Sequence, residues 1–126
     1  MVAAVSEGPI IRSRANPELK RIAAARAGKP SDLLVLEGDR LVDDALASGF
    51  DVDAVFVAES RQERVAELVR RGAPVRIVAD ELLGRSSGLA TSPGILALAP
   101  APFAPDSSAL APEPRALVLV VAGVSD

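Results

Sequence analysis

The sequence predicts an α/β domain in which short apolar strands alternate with short helices. Two observations favour this class: short runs of Val, Leu, Ile and Ala recur along the chain, and each is followed by apolar residues at helical spacing. Hydrophobic residues make up 49% of the chain but aromatic residues only 2%, so the core must be aliphatic. We expect a mainly parallel sheet covered by helices on both faces, a three-layer α/β/α sandwich.

The ends of the first two helices can be placed from single residues. Asn16-Pro17 is a good start, with Asn as the cap and Pro at the first helical position, and Gly28 can end this helix. Residues 33–36 are a continuous apolar run, as expected of a strand buried on both faces. The next helix is predicted over residues 39–48, with Gly49 as its stop.

The second half of the domain repeats this alternation. Ser60-Arg-Gln-Glu63 has the capping-box pattern and should begin a helix that ends at Gly72, and Asp80 should begin a short one. The remaining strands are predicted over residues 52–57, 74–78 and 94–99.

The C-terminal part of the chain has a different composition. Residues 100–114 contain five prolines, which favour an extended linker over a helix or central strand. Residues 115–126 then contain one more apolar strand. We therefore predict a first domain over residues 1–99, a linker, and the first strand of a second domain; the alternative is a last strand of the first domain.

Composition excludes several classes of function. The chain has no Cys and no His, which removes disulfides, Cys or His metal ligands, and Ser-His or Cys-His catalytic pairs. No apolar run is long enough to span a bilayer, and the first residues lack the pattern of a secretory signal. We expect a cytoplasmic protein.

Three short motifs match chemical signatures only in part. Residues 84–88 fit G-x-S-x-G, but a nucleophile elbow needs a His partner. Residues 27–31 resemble the end of a phosphate-binding loop, but Pro30 separates Lys from Ser. The acid pairs at 43–44 and 51–53 lack a third ligand and are interpreted as solvated. We expect neither catalytic residues nor a metal site.

The charge distribution indicates an anion-binding face. The net charge is −3, yet residues 10–31 hold six basic residues and a single acid. Basic side chains around a helix N-terminus suit phosphate, and the shortage of aromatic residues argues against base stacking, so an RNA partner would be recognised by backbone and shape. The candidate RNA-binding residues are Arg12, Ser13, Arg14, Asn16, Lys20, Arg26 and Lys29.

Several segments, taken in order, resemble the N-terminal substrate-binding domain of the SpoU/TrmH family. These segments are Ser13-Arg-Ala-Asn-Pro-Glu-Leu-Lys20, Leu34-Val-Leu-Glu-Gly38, and Thr91-Ser-Pro-Gly-Ile-Leu-Ala97. Family members are S-adenosylmethionine-dependent RNA 2′-O-ribose methyltransferases of the SPOUT superfamily. The closing segment departs from the usual Thr-Pro-x-Gly order. Glu37, Gly38 and Gly94 match motif positions with expected structural roles: Gly38 in a strand-to-helix turn and Glu37 in bonding exposed backbone amides.

The resemblance implies a fold similar to small kink-turn-binding ribosomal proteins and an RNA partner, ribosomal rather than transfer RNA, with 23S RNA first. It also implies that residues 117–126 begin a methyltransferase domain, because in relatives this strand runs into Asp-Pro-Gly-Asn and Asp126 would be its first residue. The cofactor site and the homodimer interface would lie in that missing domain. The 126-residue chain alone is expected to be inactive, and monomeric unless residues 115–124 pair between copies.

Two other interpretations remain open. One is a stand-alone, non-enzymatic RNA-binding protein of the kink-turn kind, which would need no second domain. The other is a protein-interaction module in which residues 115–124 add a strand to the sheet edge of a partner.

Overall fold

The computed structural model describes residues 9–29 and 33–101 as alternating helices and strands. The helices are α1 (Pro17–Arg26), α2 (Asp39–Ala47), α3 (Val65–Arg70) and α4 (Asp80–Ser86), and a 3-10 helix (Glu59–Arg64) precedes α3. The strands are β1 (Leu33–Glu37), β2 (Ala54–Ala58), β3 (Val75–Val78) and β4 (Ile95–Pro100). The α/β class and the helix–strand alternation are confirmed.

The sheet is mixed, and the prediction of a mainly parallel sheet is wrong. The strand order is β1-β4-β2-β3, with β4 antiparallel to both β1 and β2, and only β2 and β3 parallel to each other. The first three strands do run in one direction, as the alternation predicted. However, β4 enters between β1 and β2 in the opposite direction, so two of the three strand pairings become antiparallel.

The two interior strands are β4 and β2, whereas the run at residues 33–36 forms an edge strand. Ile95 to Ala99 are all buried, whereas every residue of β1 is only half-buried because β1 lies at the edge of the sheet. The expectation that residues 33–36 are buried on both faces is therefore wrong. An apolar run of this kind has the same composition at an edge as in the centre, so composition could not separate the two strands.

Helices cover both faces of the sheet, which confirms the three layers. One core contains Leu19 and Ile22 of α1 with Leu82 and Leu83 of α4, packed on alternate residues of the strands such as Phe56. The opposite core contains apolar residues of α2 and α3 against the other residues of the same strands. Among the described residues, no polar or charged residue is buried as a whole, so both cores are built from hydrophobic side chains.

Local signals placed most helix ends correctly. The Asn16 Oδ1 atom accepts a hydrogen bond from the Glu18 amide at 2.8 Å and caps α1. Gly28, Gly49 and Gly72 all have positive φ after their helices. The capping box at residue 60 is wrong, because Ser60 lies inside the 3-10 helix, and its amide donates to Asp80 Oδ1 at 2.9 Å.

The predicted linker begins at residue 100; its remainder from residue 102 and the predicted second-domain strand, residues 115–126, lie outside the described residues. The strand predicted over residues 94–99 is β4 and ends one residue later, at Pro100. Among the described helices, none is both long and apolar enough to cross a membrane.

Candidate nucleic-acid interface

The segment before α1 is shaped by its own polar side chains. Ser13 Oγ accepts a hydrogen bond from the Ala15 amide at 3.2 Å, and Asn16 Oδ1 is occupied by the helix cap. Arg12 Nη2 lies 2.8 Å from Glu59 Oε2 in an exposed ion pair. Of the residues predicted to contact RNA here, Ser13 and Asn16 therefore have acceptors committed to the turn, and Arg12 is partly neutralised.

Three predicted residues remain available to an anion. Arg14, Lys20 and Lys29 are exposed, and none has an ion pair within residues 9–29 and 33–101. By contrast, Arg21 of the same basic segment is paired with Glu18 and Asp53. The hydrogen bond that Arg21 donates to Asp53 is the main cause that raises the pKa of Arg21. The accessible positive charge is thus smaller than the sequence count suggests.

Arg26 is held by the fold. Its Nη2 atom lies 2.7 Å from Glu37 Oε1, and its Nε atom donates to the Ser86 carbonyl at 2.6 Å. Arg26 thereby connects the end of α1 to the end of β1 and to the last residue of α4. Within the described residues, the Arg26 guanidinium therefore holds these three elements together.

Glu37 accepts hydrogen bonds from several directions. Burial acts to raise the pKa of Glu37, but hydrogen bonds from the Ser87 hydroxyl, the Gly88 amide and Arg26 outweigh it and hold the pKa below its ordinary value. The Gly88 amide lies 3.0 Å from Glu37 Oε1. The carboxylate therefore stays charged and anchors the loop that follows α4.

The two motif glycines stand where a side chain would be strained. Gly38 has φ of +106° at the turn from β1 into α2, and its amide donates to the Ile95 carbonyl at 3.0 Å. Gly94 has φ of +78°, and a Cβ there would lie 2.9 Å from the Arg61 Cδ atom. Both positions therefore favour glycine for backbone reasons.

Two open recesses flank the segment that leads into α1. The first, about 410 Å³, has Arg12, Arg76 and Glu18 as its charged lining residues. The second, about 170 Å³, lies between α1 and α4 and is lined by Arg14, Leu19, Leu82, Arg85 and Ser86. Arg12 and Arg14 therefore line different recesses, although they are only two residues apart in sequence.

Sequence reasoning missed Arg76 and Arg85 as lining residues. Arg76 is the only charged residue of β3. Its position within an otherwise apolar strand could have marked it as a candidate lining residue. Arg85 lies inside the G-x-S-x-G match. That motif assigns chemistry to its serine, and the adjacent arginine was not considered.

An ion-pair network on the opposite helix layer was also missed. Asp43 of α2 accepts hydrogen bonds from Arg64 at 2.7 Å and from Arg71 at 3.0 Å. Arg61 Nη1 donates to Asp39 Oδ2 at 2.8 Å and to the Pro93 carbonyl at 3.0 Å. The hydrogen bond from Arg64 is the main cause that lowers the pKa of Asp43. These arginines are engaged with carboxylates, which leaves this face less suited to an anion.

In the part of the chain that the structure describes, no three acidic side chains gather in a group that could hold a metal ion.

Comparisons with known proteins agree with this architecture. Residues 8–113 match the family described as "Thiostrepton-resistance methylase, N terminus". The fold is similar to an AdoMet-bound rRNA methyltransferase from Sinorhizobium meliloti, with 23% identity, a TM-score of 0.59, and coverage of 77% of this chain and 38% of that one. A second structure of an rRNA methyltransferase from the same organism gives 22% identity, a TM-score of 0.60, and coverage of 76% and 38%.

No curated protein matches the chain. The chain spans well under half the length of the methyltransferase structures it resembles. At these identities the structures establish the fold, while the family match covers most of the chain. The resemblance to a methyltransferase N-terminal domain is thereby confirmed, and the chain belongs to the family of thiostrepton-resistance methylase N-terminal domains.

Proposed function

We propose that this chain is the RNA-recognition part of an rRNA methyltransferase that transfers a methyl group from S-adenosylmethionine to a ribose 2′-hydroxyl. The observation that carries the RNA-recognition role is the exposed basic set Arg14, Lys20 and Lys29, on a domain whose family match is to a methylase N-terminus. Of the described arginines on the α2–α3 layer, most are paired with carboxylates. An anionic polymer such as RNA therefore finds positive charge without a described ion pair mainly on and beside α1.

The chemistry of this surface favours phosphate contacts. Lys and Arg side chains neutralise backbone phosphates and release counterions, which makes binding depend steeply on salt. The chain has no Tyr and no Trp, so stacking of bases on aromatic rings contributes little to recognition. RNA is then recognised by backbone and shape, and 23S ribosomal RNA is the first substrate to test.

The methyl-transfer step belongs to a second domain in this proposal. A structural neighbour is described as AdoMet-bound, which supports S-adenosylmethionine as the cofactor of the full-length enzyme. That enzyme would act in the cytoplasm and dimerise through its catalytic domain. Reading the source gene past the codon for Asp126 tests this organisation: codons for Pro-Gly-Asn and a further domain are expected, and a stop codon would contradict it.

RNA recognition is tested with the 126-residue chain and in vitro transcribed 23S rRNA. Affinity should fall with salt, with a log–log slope of about −0.7 per phosphate contact if the contacted RNA is single-stranded. The triple variant Arg14→Gln, Lys20→Gln, Lys29→Gln should weaken binding and reduce the slope by about two units if all three residues contact phosphate.

Arg70→Gln is the matched control, because Arg70 is an exposed cation on α3 without an ion pair among the described residues. Its affinity and slope should equal those of the unmodified chain. Binding that is insensitive to salt and unchanged in the triple variant would contradict the proposal. Total transfer RNA serves as the competitor and distinguishes ribosomal from transfer RNA as the preferred partner.

A further inference from the structure

The recess between α1 and α4 combines an apolar floor with a rim of arginines. Leu19 and Leu82 line the floor; they are 8% and 9% exposed. Arg14 and Arg85 line the same recess with Ser86. At about 170 Å³ it is smaller than the several hundred Å³ of sites for drug-sized ligands. Its size therefore suits one small group and not an extended ligand.

Positive charge is concentrated at this recess. Arg14 and Arg85 line it, and Arg26 donates to the backbone carbonyl of Ser86 on the same turn. Two carboxylates oppose these three guanidinium groups: Glu37 pairs with Arg26, and Glu81 forms an exposed pair with Arg85 at 3.0 Å. One positive charge, that of Arg14, is left unmatched among the described residues. An anion bound here would pair with the charge of Arg14.

We propose that this recess binds a single unstacked nucleotide of the RNA, with its base against Leu19 and Leu82 and its phosphate between Arg14 and Arg85. This inference rests on the proposed RNA-recognition function and adds a preference to it: the domain reads an unpaired base and not the backbone alone. A base brings the flat apolar face that the floor accepts, and the adjoining phosphate brings the charge that the rim lacks. This site adds Arg85, which the sequence did not predict, to the proposed RNA-contact residues.

Two RNA probes test the preference: a hairpin with an unpaired loop, and a blunt duplex with the same number of phosphates. Loop bases can leave the stack, whereas bases inside a duplex cannot do so without losing their pairing. The unmodified chain should bind the hairpin about tenfold more tightly than the duplex at equal salt. Arg85→Gln should remove most of that preference and leave duplex binding nearly unchanged.

Arg85 is a safe position for this test because its only described ion pair is exposed. Arg70→Gln, on the other helix layer, is the matched control and should keep the full preference. As a readout without mutation, the methyl NMR signals of Leu19 and Leu82 should shift on addition of the hairpin but not of the duplex.

The outcomes separate the two proposals. Equal binding of both RNAs, with Arg85→Gln unchanged and the leucine methyl signals unmoved, would overturn the nucleotide site while leaving RNA recognition in place. Failure to bind either probe or the 23S rRNA would overturn both. A hairpin preference that is lost in Arg85→Gln and kept in Arg70→Gln supports the site.

Discussion

Arg26 and Glu37 are eleven residues apart and form an ion pair with 2.7 Å between Nη2 and Oε1. The pair joins the end of α1 to the end of β1. The same carboxylate oxygen also accepts a hydrogen bond from the Gly88 amide. Three separate parts of the chain therefore meet at one carboxylate, which is only 9% exposed. We expect this contact to govern stability more than RNA affinity.

Glu37→Gln should destabilise the domain. An amide cannot match the charge of Arg26, and it leaves one of the hydrogen bonds from Ser87 and Gly88 poorly satisfied. The free energy of unfolding should fall by about 2 kcal/mol, measured by urea denaturation with an unchanged m-value. Glu81→Gln, which removes only an exposed pair with Arg85, should have no measurable effect. An equal effect of the two substitutions would contradict the expectation that the Glu37 contacts stabilise the domain more than an exposed ion pair does.

Stability should fall in acid and stay flat near neutral pH. Glu37 and Asp43 have folded-state pKa values below their ordinary values of 4.5 and 3.8. Their stabilisation is thus fully present above those values and is lost as the pH falls through them toward the folded-state pKa values. With no His in the chain, no imidazole titrates near neutrality. Chemical denaturation from pH 7 to pH 3 checks this, and Glu37→Gln should show a shallower decline.

Gly88→Ala should weaken the Arg26–Glu37 contact. A Cβ at residue 88 would lie 2.6 Å from Arg26 Nη1 and 3.2 Å from its Cζ atom, so the guanidinium must move. We expect a loss of about 1 kcal/mol in the free energy of unfolding. Gly84→Ala is the control within α4: nothing lies within 4 Å of its Cβ, and alanine should stabilise the helix by about 0.5 kcal/mol. Opposite signs are expected, and a stabilising Gly88→Ala would contradict the geometry.

Asp43 and Asp44 are neighbours in sequence but should differ in effect. Asp43 accepts hydrogen bonds from Arg64 and Arg71, whereas Asp44 has an exposed pair with Arg40 at 3.8 Å. Asp43→Asn should cost about 1 kcal/mol after allowance for its partial exposure, and Asp44→Asn should cost nothing measurable. Thermal unfolding of the two variants side by side gives the comparison. If both behave alike, the sequence interpretation of two solvated acids is sufficient.

Arg26→Gln should lower the stability of the domain more than its affinity for RNA. Because this guanidinium is occupied by Glu37 and the Ser86 carbonyl, its loss should lower the melting temperature. Affinity for 23S rRNA, measured well below that temperature, should change less than it does in Arg14→Gln. The reverse order would return Arg26 to the RNA-contact set that the sequence predicted.

Contacts between near neighbours in sequence were predictable. The Asn16 cap and the glycines after α1, α2 and α3 act through bonds and dihedral angles within a few residues, so the residue types alone determine them. The α/β class followed from the alternation of apolar runs with helical spacing, and the basic character of residues 10–31 can be counted directly.

Only the tertiary structure decided which strands lie inside the sheet and which cations are available. The direction of β4 and its place between β1 and β2 depend on pairing between distant segments, and two runs of equal apolarity gave no signal of that order. Arg14 and Arg26 are both exposed arginines near α1. One has no described ion pair, and the other meets Glu37 and Ser86 because β1 and α4 converge there. The free energy of those contacts arises between residues brought together by folding, and composition alone does not contain it.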